Sequence, residues 1–208
     1  MRARKGFTMI ELAIVLVIIG LIMGAVLKGR SLIDNAKIKN LVSQVKKFEI
    51  LQLTFLDRYG RYAGDGDNDG FVDVRALNLK KSDFDDKPSE TFLQKRLQDP
   101  DAPFAELEAA NLMPEVPNSV HTKTVYGGVI YFASYSPEEF SDYNVIVLRG
   151  IPCYALKSLD ATIDGVEDAT QGFVRGVEES KVGDKEWDQL CKSESENASV
   201  VYFYDRQP

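Results

Sequence analysis

The sequence predicts an α+β protein in which one long amino-terminal helix, membrane-spanning in its first half, packs on a carboxy-terminal antiparallel β-sheet head. Three observations carry that expectation. From Phe7 to Leu27 the chain is apolar except for Thr8, Glu11 and two glycines. From Gly29 to Tyr59 it contains no proline, and apolar residues recur at helical spacing. Its last third holds runs of β-branched and aromatic residues, the mark of strands.

The first segment has the length and flanks of a membrane anchor. Three cations, Arg2, Arg4 and Lys5, precede it and hold the amino terminus on the cytoplasmic side. At ~1.5 Å per residue, the stretch from Phe7 to Leu27 crosses a hydrocarbon core of ~30 Å. An ordinary secretory signal ends in a small-residue cleavage site after its apolar region, and the residues Met23 to Lys28 offer a poor one. The small residue that suits processing is Gly6, ahead of the run. A cut there leaves the span attached and makes Phe7 the new amino terminus.

Glu11 is the anomaly. A carboxylate one helical turn inside an apolar span costs a few kcal/mol and needs a partner. One reading is a plain single-pass anchor whose Glu11 reaches back to the interface near Lys5. The other begins from the string Gly6-Phe7-Thr8-Met9-Ile10-Glu11-Leu12, which resembles the processing motif of type IV pilins and of the pseudopilins of type II secretion. The resemblance is strongest over residues 1 to about 62. It implies that a prepilin peptidase cuts after Gly6 and methylates Phe7, and that Glu11 neutralises the amino terminus of the neighbouring subunit. An ammonium and a carboxylate, each costly alone in an apolar bundle, are tolerable together. On that resemblance the partners are other copies or other pilin-like subunits in a filament, the peptidase, an inner-membrane assembly platform, and lipid before assembly. The location is the bacterial inner membrane, then a periplasmic pseudopilus or an extracellular pilus.

The helix is expected to continue past the membrane to about Gly60, roughly 80 Å in all. Apolar residues at Leu32, Ile33, Ala36, Leu41, Val45, Phe48, Phe55, Leu56 and Tyr59 mark its covered stripe, with a gap at Gln52, and lysines occupy much of the rest. Many type IV pilins carry a proline midway along this helix. This chain has Lys28 at that place, with Gly20, Gly24 and Gly29 nearby as weaker softening points. The domain organisation expected is a leader at 1–6, a span and filament-core helix at 7–33, an amphipathic helix at 34–62 and a globular head at 63–208.

The helix exit leads into Asp65, Asp67, Asp69, Phe71 and Asp73, with Gly70 between them. Carboxylates at alternate positions, a glycine at the sixth and a backbone carbonyl at the seventh have the spacing of the first nine positions of a calcium loop. The twelfth position falls on Ala76, so a full calcium site must borrow a carboxylate, and Asp83, Asp85 and Asp86 are near in sequence. A glycine-aspartate turn without metal is the alternative.

Two short helices are expected next, Ser89 to Leu97 and Phe104 to Ala110, the second started by Pro103 and followed by a connector framed by Pro114 and Pro117. Strands are expected at Val125 to Ala133, Tyr143 to Arg149 and Val200 to Tyr204, with Gly127-Gly128 as a bulge, giving three or four antiparallel strands. Between the two cysteines lies an acidic segment similar to one in some pilin-like proteins. There a helix from near Tyr154 ends around Asp164, and Asp160, Asp164 and Asp168 either cap backbone amides, the preferred reading, or hold a second cation. In an exported chain the even pair Cys153 and Cys191 reads as a disulfide, as in many pilins.

Charge and composition bound the function. The net charge of −7 becomes −10 once residues 1–6, with their three cations, are removed. An acidic head argues against binding nucleic acid through the bulk surface. The lone His121 sits in a connector with no obvious serine or cysteine nucleophile paired with it, so no catalytic constellation is read. Two classes stay open: a structural filament subunit, and a membrane-tethered binding or adhesion protein of the minor-pilin kind.

Overall fold

The computed structural model describes residues 8–76, 100–116, 121–137, 142–178 and 181–206. The chain divides into two compact units, Met1–Lys39 and Asn40–Pro208. The expected helix Ser89 to Leu97, the borrowed carboxylates Asp83, Asp85 and Asp86, and Pro117 lie outside the described residues.

Helix α1 (Met9–Tyr59) is a single 51-residue element whose glycines do not interrupt it. In the first unit its apolar residues face outward: Ile10, Leu12, Ile14, Leu21 and Ile22 are each more than half exposed. This stretch is long and apolar enough to cross a membrane. In the second unit the same helix becomes one-sided. Leu41, Val45, Phe48, Leu51, Gln52 and Phe55 are buried, while Ile50 and Leu53 point away. Leu32 and Ile33, expected on the covered stripe, are exposed because they precede the head; Tyr59, the last residue of the helix, is exposed too.

Gln52 is not a gap in the stripe. Its Nε2 donates to the Ala63 carbonyl at 3.0 Å and its Oε1 accepts the Ala63 N–H at 2.9 Å. A fully buried amide that satisfies both polar groups of one peptide clamps the chain returning from the helix end.

The head is a five-stranded antiparallel sheet of order β1-β2-β5-β3-β4, with β1 at Val129–Tyr135, β2 at Tyr143–Pro152, β3 at Val174–Glu178, β4 at Lys181–Val182 and β5 at Asn197–Phe203. Strands β3 and β4 were not expected; they occupy a segment whose glycines and aspartates read as loop. They are short and pair with an existing strand rather than announcing themselves by composition. The glycine pair Gly127-Gly128 is not a bulge in β1. Gly127 sits in a turn, its N–H donating to the Thr124 carbonyl at 3.0 Å. The irregularity lies opposite, in β2, where the register to β5 shifts between Arg149 and Ile151. Gly128 is required there because a Cβ would come within 2.4 Å of the Arg149 carbonyl oxygen.

Helix α2 (Ala102–Ala109) starts with proline in its first turn and buries Phe104 and Leu107. Phe48 of α1 stacks on Phe132 of β1 at 4.9 Å between centroids and meets Phe104 edge-on at 5.7 Å. This aromatic trio joins helix, sheet and α2 at the centre of the head. Helix α3 (Cys153–Ile163) follows β2 directly, and the short α4 (Trp187–Leu190) precedes Cys191. Cys153 and Cys191 form a disulfide across 38 residues of sequence, bracketing α3, β3, β4 and α4. In the chain-entropy picture a loop of this size stabilises the fold by about 4 kcal/mol.

Arg61, just past α1, reaches α2. Its Nη1 donates to Glu106 Oε2 at 2.7 Å and to the Asp65 carbonyl at 2.9 Å. Glu106 also accepts the Gly64 N–H at 3.2 Å and is only 4% exposed. Burial pushes the Glu106 carboxyl above the usual range, against the pull of Arg61 and the Gly64 N–H. Removing Arg61 leaves a buried charge without its counter-charge, so Arg61→Met is expected to lower stability by about 3 kcal/mol near pH 7. The deficit shrinks as pH falls, because a protonated Glu106 needs no cation; denaturant titration of both proteins at pH 7 and at a lower pH checks it.

Candidate functional site

Two places bring together the residues singled out in the sequence. The first is the start of α1. Gly6 and Phe7 lie outside the described residues, but Thr8 and Glu11 form a reciprocal cap. The Thr8 N–H and hydroxyl both donate to Glu11 Oε2, at 2.8 and 2.7 Å, and the Glu11 N–H reaches Thr8 Oγ1 at 3.3 Å. This is a capping box: threonine at the N-cap and glutamate three residues on satisfy amides that the first turn leaves open. Thr8 was missed as a functional residue although its spacing to Glu11 is the signature of that motif. The bonds to Thr8 use one oxygen of the carboxylate. Among the described residues no donor is assigned to Oε1, which stays available to a group from elsewhere.

The second place is the acidic loop that follows α1. Asp65 is fully buried. Its Oδ1 accepts the Asp69 N–H at 3.1 Å and its Oδ2 the Gly70 N–H at 3.0 Å. Asp67 accepts the Asp69 N–H at 3.2 Å, and Asp69 accepts the Phe71 N–H at 2.8 Å. These short-range bonds coil the loop so that one oxygen from each of Asp65, Asp67 and Asp69 lies within 4.8 Å of the others. Gly70 takes φ +92°, a conformation that permits the sharp turn. Burial raises the Asp65 carboxyl, with the Gly70, Asn68 and Asp69 amides pulling it down.

Of the five residues expected at this loop, the structure gathers three. Asp73 turns to accept the Gly66 N–H at 2.9 Å, and burial raises its carboxyl as well. Phe71 contributes its N–H to the coil. Hard carboxylate oxygens in a tight turn suit calcium chemically, but calcium takes six to eight oxygens, more than this cluster brings.

The loop is held from two sides. Arg61 and Glu106 fix its start through the ion pair that joins α1 to α2. On the other side the buried Asn144, near the start of β2, accepts the Val72 N–H at 2.9 Å and donates to the Gly70 carbonyl at 2.9 Å and to Asp205. A cleft of about 190 Å³ opens beside it, walled by Asp67, Asp69, Asp73, Arg75 and Asp142. Neither Arg61 nor Asn144 carries a sequence signal for this work, since both act across long sequence separations.

The three aspartates between the cysteines cap backbone amides. Asp160 Oδ2 accepts the Asp168 N–H at 2.8 Å, and Asp164 accepts the Phe173 and Val174 N–H groups at 3.0 and 2.9 Å. Asp168 accepts the Thr170 N–H and hydroxyl at 2.9 and 2.6 Å, which holds its carboxyl below the usual range. His121 is buried against Glu108 and the Pro114 carbonyl, both at 3.1 Å from Nε2, and stacks on Phe104, which is a packed core histidine.

A family model described as the prokaryotic N-terminal methylation motif matches residues 1–27. No curated protein and no solved structure matches the chain. The match covers Gly6, Phe7, the Thr8–Glu11 cap and the apolar stretch that follows them. Residues 1–27 are the prepilin-type cleavage and methylation segment found in type IV pilins and pseudopilins.

Proposed function

We propose that the protein is a filament subunit, a pilin or pseudopilin, held in the bacterial inner membrane with its amino terminus cytoplasmic until assembly. A prepilin peptidase cuts after Gly6 and methylates Phe7; an inner-membrane platform then extracts the subunit into a helical fibre. The fibre core is built from the residue 7–33 segments, and the acidic heads form its surface. The observation that carries this reading is the methylation motif over residues 1–27, continuous with one unbroken helix whose first part is apolar.

The cap at Thr8 supports a division of labour within Glu11. One carboxylate oxygen holds the helix start, and the other receives the ammonium of a neighbouring Phe7. Both partners are costly alone in an apolar bundle, so each added subunit is favoured in the register that pairs them. A second reading, favoured by the coiled aspartate loop, is a scarce minor pilin or tethered binding protein whose head is stabilised by calcium. A major subunit dominates the protein in sheared fibres; a minor one does not.

Glu11→Ala is expected to leave cleavage after Gly6 intact and to cut incorporation into sheared fibres by about a hundredfold, the equivalent of ~3 kcal/mol for an unpaired ammonium. Glu11→Gln retains an oxygen for the Thr8 cap but loses the charge, and fails similarly if pairing rather than capping is what assembly needs. Fibre yield at wild-type level in both variants refutes the pairing. Gly6→Val leaves an uncut precursor that begins at Met1 by mass spectrometry.

For the acidic loop, saturating calcium should raise the melting midpoint of the detergent-solubilised full chain by about 5 °C, a linkage effect removed by a chelator. Asp65→Asn should abolish the rise. A midpoint indifferent to calcium and chelator leaves the loop as a turn that needs no metal.

A further inference from the structure

Asp160 lies on α3 and is fully buried. Its Oδ2 is well served, accepting the Trp187 indole N–H at 2.9 Å and the Asp168 N–H at 2.8 Å. Its Oδ1 is sealed from solvent with no donor facing it. The carboxyl of Asp164 lies four residues on, at the C-cap of the same helix and on the same face. Asp164 is itself engaged: it accepts the two amides that open β3, Phe173 and Val174.

Two carboxylates one helical turn apart, one of them buried, do not both keep their charge. An orphaned acceptor against another acceptor becomes satisfied if it carries a proton and donates it. We propose that Asp160 and Asp164 share one proton, and that this acid–carboxylate pair is a pH-sensitive latch closing the loop 164–173 onto α3 and α4. Protonated at Oδ1, Asp160 donates to Asp164 while its Oδ2 keeps Trp187 and Asp168. When that proton leaves, two adjacent negative charges repel inside the segment bracketed by Cys153 and Cys191. The loop, the β3 entry and Trp187 then loosen together.

Burial pushes the Asp160 carboxyl up to about 7, with the Trp187 and Asp168 donors pulling it down and Asp164 adding to the rise. Other charged groups lie on α3, on the loop after it and on the neighbouring elements. Lys157 lies on α3, and Glu167 and Asp168 lie in the loop. Arg149 is on β2, Arg175 and Glu178 are on β3, and Asp188 is on α4; β5 carries no charged side chain. Asp164 is the acidic neighbour that pushes the Asp160 carboxyl up. The sign follows from the raised value. Folding favours the protonated form, so the stability it confers is full below the ordinary carboxylate value of 3.8 and drains away as pH rises through about 7.

Trp187 is the sole tryptophan in the chain, so its fluorescence reads the latch directly. In the full-length protein in detergent, with chelator present, the emission should change in one step centred near pH 7 between pH 5 and 9. Asp160→Asn mimics the protonated form and should abolish the step. Asp164→Asn removes the like charge and should move the midpoint down by about one pH unit or more. A flat wild-type profile overturns the latch, as does a step that persists unchanged in Asp160→Asn. If Asp160→Asn does not fold, judged by circular dichroism, the Asp164→Asn midpoint decides, and an unmoved midpoint overturns it. A step erased by millimolar calcium and restored by chelator overturns it too, since a cation rather than a proton then bridges the two carboxyls.

Discussion

A carboxylate withdrawn from water must bring or find a donor, and Glu11 imposes that requirement one turn into an apolar helix, before any of the head is considered. Its first partner is local: the Thr8 amide and hydroxyl, which the helix start leaves open in any case. The cap makes the residue tolerable within one subunit. It also holds the carboxylate in a defined place, which is what the proposed pairing with a second subunit's terminal ammonium demands.

The same constraint recurs in the head with different solutions. Glu106 meets a guanidinium from the chain leaving α1. Asp65 is surrounded by the amides of its own loop. Asp160 meets an indole and an amide. Lys46, Glu49 and Tyr202 form a further cluster in which the Tyr202 hydroxyl donates to Glu49 and accepts from Lys46, tying α1 to β5. There burial pushes the Tyr202 phenol up to about 12, so it stays a hydroxyl donor throughout the working range. Each acid is placed where a connection must hold: helix to loop, loop to sheet, or disulfide-bracketed segment to core.

The head is organised around the point where α1 changes character. An all-apolar surface suits a hydrocarbon solvent or a bundle of like helices, whereas the stripe from Leu41 to Phe55 suits a single packed face. The aromatic trio Phe48, Phe104 and Phe132 fills that face, and Gln52 fastens the return of the chain at Ala63. Together they fix where the acidic loop begins.

Local pattern was enough to read the long helix, α2 and α3, strands β1, β2 and β5, the α+β class and the methylation segment. Periodicity, capping and processing signals depend on residues close in sequence, and the resemblance over residues 1–62 drew on the same kind of signal. The cysteine pair was legible for another reason, since an exported chain with two cysteines has one way to join them. Strands β3 and β4 were not legible, because a five-residue strand with glycine inside it and a two-residue strand gain their identity only from pairing with β5 and with each other. Nor were the Arg61–Glu106 pair, the Asn144 anchor or the meeting of Trp187 with Asp160, which lie 45, 72 and 27 residues apart in sequence. Sequence alone determined what the amino-terminal segment is, because its chemistry is written in consecutive residues. Only the tertiary structure decided which buried acids meet which donors, because those choices depend on which surfaces the folded head brings within hydrogen-bonding distance.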